Sequence, residues 1–263
     1  MYDYHSHSIF SDDSAVPLKD MIEAAISMGI KELAITDHYD PDYPDKNFPF
    51  DIDFALYHQA LLDAEKKHSK EIKIVKGLEI GIQHGETNKK CYLAASDFPY
   101  DFIIGSFHCC DGQDLYTEYF VERSDEEGVR KFYDYVYEGI CDFNNFDVLG
   151  HINVIDRYAN KVPDYSQYMF KIEQILTKLI NMGKGIELNT SSFRYGLGER
   201  TTPSKEILAL YKSLGGEIIT IGSDAHREKQ LGYKYKEAVE ILSSHGFKYI
   251  TTFENRVPKQ IKI

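Results

Sequence analysis

The sequence predicts an α/β fold, a barrel of about seven parallel strands with helices packed outside. Three observations predict it. Strand-like apolar runs alternate with helical segments along the whole chain, a pattern that calls for parallel pairing through right-handed crossovers. The 263 residues suit one barrel of this size. One predicted strand after another ends in His, Asp or Glu, and the carboxyl ends of the strands are where such barrels build their sites.

The chain opens on Asp3-Tyr4-His5-Ser6-His7-Ser8, followed by Ile9-Phe10-Ser11-Asp12-Asp13. His5 and His7 are two residues apart, so extended backbone sends both imidazoles to one face. Residues 17–29 read as a helix, with apolar side chains at Leu18, Met21, Ile22, Ala25 and Ile26, Pro17 near the start and Gly29 past the end. A strand over 31–38 delivers His38. A helix over 53–68 and a strand over 72–79 follow, the strand ending in Glu79, and a strand over 102–108 ends in His108. A helix over 125–142 precedes a strand over 146–151 that ends in His151. A helix over 165–182 precedes the strand 185–189. A helix over 203–214 precedes the strand 217–226, which carries Asp224 and His226. The last helix, 234–244, leads to a short apolar stretch at 249–251. Residues 39–50 and 111–123 read as rim loops over the site. No repeat, linker or low-complexity tract divides the chain, so one domain over 1–263 is expected.

A composition of 43% hydrophobic and 27% charged residues is that of an ordinary globular protein. The first residues lack the basic-then-apolar order of a secretory leader, and no run of about eighteen apolar residues suggests a membrane span, so a cytoplasmic enzyme is expected. A net charge of −12 without clustered Lys and Arg argues against nucleic acid as the main partner. Oligomeric state is not legible. Cys91, Cys109, Cys110 and Cys141 form no C-x-x-C pair and read as reduced, mostly buried small hydrophobes, although Cys109-Cys110 stands beside His108.

A single His at a strand end is more often a hydrogen-bonded core residue than a ligand, and a lone Glu is usually solvated. Recurrence reverses that reading. Six of the ten histidines stand in this set, while His58, His68 and His245 read as exposed helix or loop residues. His84, close after Glu79, stays open between loop and cleft. Together His5, His7, His38, Glu79, His108, His151, Asp224 and His226 exceed what one ion takes, so two or three divalent ions are expected. Imidazole with carboxylate suits Zn, Mn or Fe. Close ions sharing a carboxylate generate hydroxide at neutral pH and clamp phosphoryl oxygens, which is the chemistry of phosphoester hydrolysis.

These residues resemble the polymerase and histidinol phosphatase (PHP) superfamily. The resemblance rests on His5-Ser6-His7-Ser8 with Phe10-Ser11-Asp12, Thr36-Asp37-His38, Gly77-Leu78-Glu79, Gly105-Ser106-Phe107-His108, Gly150-His151 and Ser223-Asp224-Ala225-His226. It implies a distorted (β/α)7 TIM-like barrel and a trinuclear metal centre. One ion would be held by His5, His7, Glu79 and Asp224, a second by Glu79, His108 and His151, and a third by Asp12, His38 and His226. Some members carry His near Asp12, and Asp13 competes for that role.

Two stretches, 150–158 and 187–194, resemble the monofunctional histidinol-phosphate phosphatases and contribute Arg157 and Arg194 at strand ends. Where the family usually has Asp after Gly-His-Ile, Asn153 stands here. Guanidinium forks match phosphate oxygens, so both arginines are expected on the substrate phosphate rather than in surface ion pairs. The resemblance implies hydrolysis of L-histidinol phosphate, a small-molecule phosphate monoester, by a metal-bridging hydroxide. The leaving alcohol would take its proton from a metal-bound water, Asp224 or His226. Asp42, Asp45, Asp111 and Asp114 are candidates for an acidic mouth facing the cationic leaving portion. Two alternatives stand beside this reading: a related phosphoesterase for a nucleotide or sugar phosphate, and a metal-binding regulator without turnover.

Overall fold

The computed structural model describes residues 1–161, 164–197 and 201–263. Seven parallel strands, hydrogen-bonded in chain order, form the barrel: β1 (Tyr2–Asp3), β2 (Glu32–Ile35), β3 (Lys73–Gly81), β4 (Phe102–Ser106), β5 (Val148–Leu149), β6 (Gly185–Asn189) and β7 (Ile219–Gly222). Each is followed by a helix: α1 (Leu18–Ser27), α2 (Phe54–His68), α3 (Thr87–Ser96), α4 (Asp125–Asp142), α5 (Met169–Asn181), α6 (Lys205–Ser213) and α7 (Tyr235–Ser244). The ring is nearly closed by the amino terminus. The Tyr4 N–H donates to the Ile221 carbonyl at 2.9 Å, the Asp224 N–H to the His5 carbonyl at 2.8 Å, and Ser6 bridges Ala225 in parallel. The distorted (β/α)7 barrel expected from the sequence is therefore present.

The helical spacing read in 17–29 is the buried face of α1, where Leu18, Met21, Ile22 and Ala25 meet the barrel, and Gly29 ends the segment at φ +71°. The helix α3 was not expected. Its buried side is Thr87, Asn88, Cys91, Ala94 and Ala95, too small and polar to show an apolar period. A short strand, His38–Tyr39, pairs in parallel with the end of β3 and sets His38 directly opposite Glu79.

Inside the barrel a cluster of Tyr4, Ala34, Val75, Phe102, Ile104, Val148 and Phe253 fills the space below the site. Phe253 belongs to an antiparallel hairpin, Tyr249–Glu254 with Val257–Lys262, so the apolar stretch at 249–251 is a hairpin arm rather than a barrel strand. Its Phe253 N–H donates to the Tyr4 hydroxyl at 2.8 Å. Among the described residues, no helix is long and apolar enough to cross a membrane.

Candidate metal centre

Glu79, near the end of the long strand β3, is the hub. Its Oε2 lies 3.0 Å from His5 Nε2, 3.1 Å from His38 Nδ1 and 3.5 Å from His7 Nε2. Its Oε1 lies 3.1 Å from His151 Nε2 and 3.4 Å from His108 Nε2. One carboxylate thus meets five imidazoles delivered by four different stretches of chain. Asp224 Oδ1 joins the set at 3.4 Å from His7 Nε2, 3.5 Å from His226 Nδ1 and 3.9 Å from His5 Nε2. His5, His7 and Glu79 are fully buried and make the floor, while His38, His108, His151, Asp224 and His226 open onto a cavity of about 380 Å³.

Burial disfavours charge on Glu79, yet the imidazoles of His5, His38 and His108 hold its carboxyl well below the usual range. Burial likewise opposes an imidazolium at His5, but Glu187, Glu79 and Asp224 hold its pKa well above normal. His7 goes the other way: burial and the charges of His226 and His38 press it down to about 3, so it stays neutral and ready to ligate.

The residues fit divalent ions. Ligand atoms bonded at about 2.0–2.2 Å in a tetrahedron stand roughly 3.3–3.6 Å apart. His7 Nε2 is buried without a hydrogen-bond partner, and its two nearest carboxylate oxygens stand at 3.4 and 3.5 Å. The sets His5/His7/Glu79, His5/His151/Asp224, Glu79/His108/His151, His7/His38/His226 and His38/Asp40/His108 each bring three ligand atoms within 4.8 Å of one another.

Of the expected ligands, Asp12 is not brought to the centre. Its Oδ2 accepts the Phe50 N–H at 2.6 Å and pins the loop 39–50. The next residue, Asp13, turns inward, with Oδ2 at 2.9 Å from His226 Nε2 and 3.7 Å from His38 Nε2. Two carboxylates escaped the sequence reading. Asp40 holds His108 Nδ1 at 2.6 Å, and Glu187 holds His5 Nδ1 at 2.6 Å. Partnered in this way, each ring is fixed in orientation with its other nitrogen toward Glu79. Glu187 lies within β6 at the start of the stretch 187–194 and carries no separate signal in the sequence.

The cavity wall carries Arg157 and Arg194 together. Arg157 donates through Nη2 to the Ser191 hydroxyl, stands 3.5 Å from Asp224 Oδ2 and lies over the Tyr195 ring at 4.1 Å. Asn153 is accounted for: its amide donates to Asp156 Oδ2 at 2.9 Å, where a carboxylate would meet another carboxylate.

Among the described residues, none of the four acidic-mouth candidates lines the cavity. Asp42 pairs with Lys90 at 2.6 Å, Asp111 pairs with Lys131, Asp45 accepts the Asn47 N–H, and Asp114 accepts the N–H groups of Tyr116 and Thr117. Each is spent on its own turn or a lysine. Tyr43, Tyr116, Tyr158 and Tyr195 line the cavity instead, with Arg227 and Gln230.

The remaining histidines serve locally. His68 is buried against Glu71, and His58 and His245 are half-buried on the Tyr100 hydroxyl and the Ile241 carbonyl, not exposed as their polarity suggested. His84 stacks on Tyr135 at 3.8 Å, away from the cavity. Cys91, Cys109 and Cys110 are buried and free, and Cys141 is exposed.

The PHP domain family model matches residues 3–191. The chain belongs to the PHP family. A PHP relative named histidinol-phosphatase, from Lactococcus lactis subsp. lactis, is 29% identical over 95% of this chain and 93% of its own length. A Clostridium acetobutylicum protein named "Probable histidinol-phosphatase" is 30% identical over 98% of this chain and 99% of its own. The crystal structure of the Lactococcus lactis histidinol phosphate phosphatase, complexed with zinc, L-histidinol and phosphate, superposes with a TM-score of 0.88 at 26% identity, covering 98% of both chains.

Proposed function

We propose that this PHP protein is a metal-dependent phosphoric monoester hydrolase that converts L-histidinol phosphate to L-histidinol and phosphate, with residues 1–263 acting as one cytoplasmic domain. The carrying observation is Glu79, whose two oxygens lie within 3.5 Å of five imidazoles on the floor of a cavity that also holds two arginines. The Lactococcus lactis structure with zinc, L-histidinol and phosphate supports the choice of substrate.

Two or three divalent ions, Zn, Mn or Fe, belong here. His5, His7, Glu79 and Asp224 hold the first, Glu79, His108 and His151 the second, and Asp13, His38 and His226 the third. When bound, such ions supply Lewis acidity and a nucleophilic hydroxide at neutral pH. Arg157 and Arg194 take the outer phosphate oxygens and stabilise the charge that builds on the equatorial oxygens. Asp224 and His226, both on the cavity wall, are the protein's own candidates for proton transfer to the leaving alcohol. The tyrosine-lined mouth receives the organic portion.

The experiment is turnover by metal-loaded protein of histidinol phosphate, a nucleoside monophosphate, a sugar phosphate and one phosphodiester. The highest kcat/KM is expected for histidinol phosphate, with Arg157→Ala raising KM. Preference for another ester overturns the substrate, and no turnover by fully loaded protein overturns the enzyme.

A further inference from the structure

Asp224 sits in the left-handed region, at φ +53°, a conformation that is uncommon outside glycine even though Asp adopts it more readily than most, and its surroundings hold it there. Arg194 supplies the part of the hold that acts on the carbonyls. Its Nη1 donates to the Ser223 carbonyl at 2.9 Å and its Nη2 to the Asp224 carbonyl at 2.8 Å. The same Asp224 carbonyl lies 3.1 Å from His226 Nδ1, which puts a proton on Nδ1 and leaves Nε2 facing Asp13. From the opposite side, Asp3 accepts the Ser223 N–H at 2.8 Å and its hydroxyl at 2.6 Å. The turn that carries two candidate ligands is therefore gripped at consecutive carbonyls by one planar fork.

We propose that Arg194 is a positioning residue for the metal centre, its guanidinium holding the 223–226 turn in the conformation that aims Asp224 and His226 at the ions. This rests on the metal-centre reading above and goes beyond a phosphate clamp. Two of the five guanidinium N–H groups are spent on the turn, and three remain for a phosphate, so one side chain links substrate binding to ligand geometry. The fork geometry matters: a lysine ammonium is a point donor and cannot reproduce a paired grip on two carbonyls. Arg157 differs, because it meets the side chains of Ser191 and Asp224 rather than this backbone.

The test titrates metal-free wild type, Arg194→Ala, Arg194→Lys and Arg157→Ala with Zn²⁺ against a chelator, and records the visible absorption of the Co²⁺ forms. Arg194→Ala is expected to bind at least one ion about tenfold or more weakly, with altered Co²⁺ bands. Arg194→Lys falls between it and wild type, and Arg157→Ala keeps wild-type affinity. Wild-type affinity and bands in Arg194→Ala, or an equal loss in Arg157→Ala, overturns the proposal. Should Arg194→Ala not fold, Arg194→Lys decides: weaker binding supports the proposal and wild-type binding overturns it. None of these readouts needs turnover, so a wild-type protein that binds ions and hydrolyses nothing overturns the proposed function and leaves this test standing.

Discussion

His5 Nδ1 lies 2.6 Å from Glu187 Oε1, and both side chains are fully buried. The second oxygen of Glu187 accepts the His151 N–H at 3.0 Å and the Asn189 amide at 3.1 Å. One carboxylate therefore fixes two imidazole-bearing segments that face opposite oxygens of Glu79. Gly222 leaves the room for it, since a Cβ there would stand 2.1 Å from Glu187 Oε1.

Glu187→Gln keeps the shape but removes the charge that orients His5. Metal affinity is expected to fall about ten- to a hundredfold, as measured by chelator competition. Wild-type affinity would reduce Glu187 to a core residue.

Asp13 and Asp12 separate cleanly by substitution. Asp13→Asn removes the carboxylate shared by His38 and His226 and is expected to lower bound metal by up to one ion per chain in elemental analysis. Asp12→Asn keeps an amide oxygen that can accept the Phe50 N–H and is expected to keep the wild-type metal count. The reverse result would restore Asp12 as the ligand.

Metal affinity carries a pH dependence with a definite sign. Burial works against a charged His38, but the carboxylates of Glu79 and Asp13 prevail and raise its pKa to about 9. The metal-free protein thus holds a proton there near neutral pH, and an incoming ion must displace it. Affinity is expected to rise at least about tenfold per pH unit from neutrality toward 9. Calorimetry in buffers of different ionisation enthalpy counts the released protons, and a count below one near neutral pH would contradict this. His7, already neutral, releases none. In the metal-free fold the same His38 shift contributes stability that is complete below its ordinary pKa of 6.5 and is lost as pH rises through about 9.

Removing residues 1–7 strips more than two imidazoles, because β1 and the segment after it close the ring between β2 and β7. The truncated chain is expected to lose cooperative unfolding by circular dichroism along with all activity. The double variant His5→Ala/His7→Ala is expected to keep the cooperative transition and lose only metal and activity. A truncated chain that unfolds cooperatively would show that closure is dispensable.

The alternation of apolar runs with helical periodicity was enough to specify the seven strands and six of the seven helices, because burial on both faces of a parallel strand and on one face of a helix writes itself into local spacing. Strand-end His, Asp and Glu were legible for the same reason: their position follows from where a strand stops. α3 was not legible, since Cys91, Ala94 and Ala95 bury a face without an apolar period. The choice of Asp13 over Asp12 was not legible either, because adjacent residues in an irregular turn differ only in the direction the backbone gives them. Asp42, Asp45, Asp111 and Asp114 looked like a charged mouth until the fold supplied each with a turn N–H or a lysine. Glu187, 182 residues from His5, and Arg194, about thirty residues before the turn it grips, took their roles only from contacts. The sequence by itself determined the barrel and most of the candidate ligands. The tertiary structure decided which carboxylates orient those ligands and which backbone is held to aim them, since hydrogen bonds between distant segments leave no periodic trace in the chain.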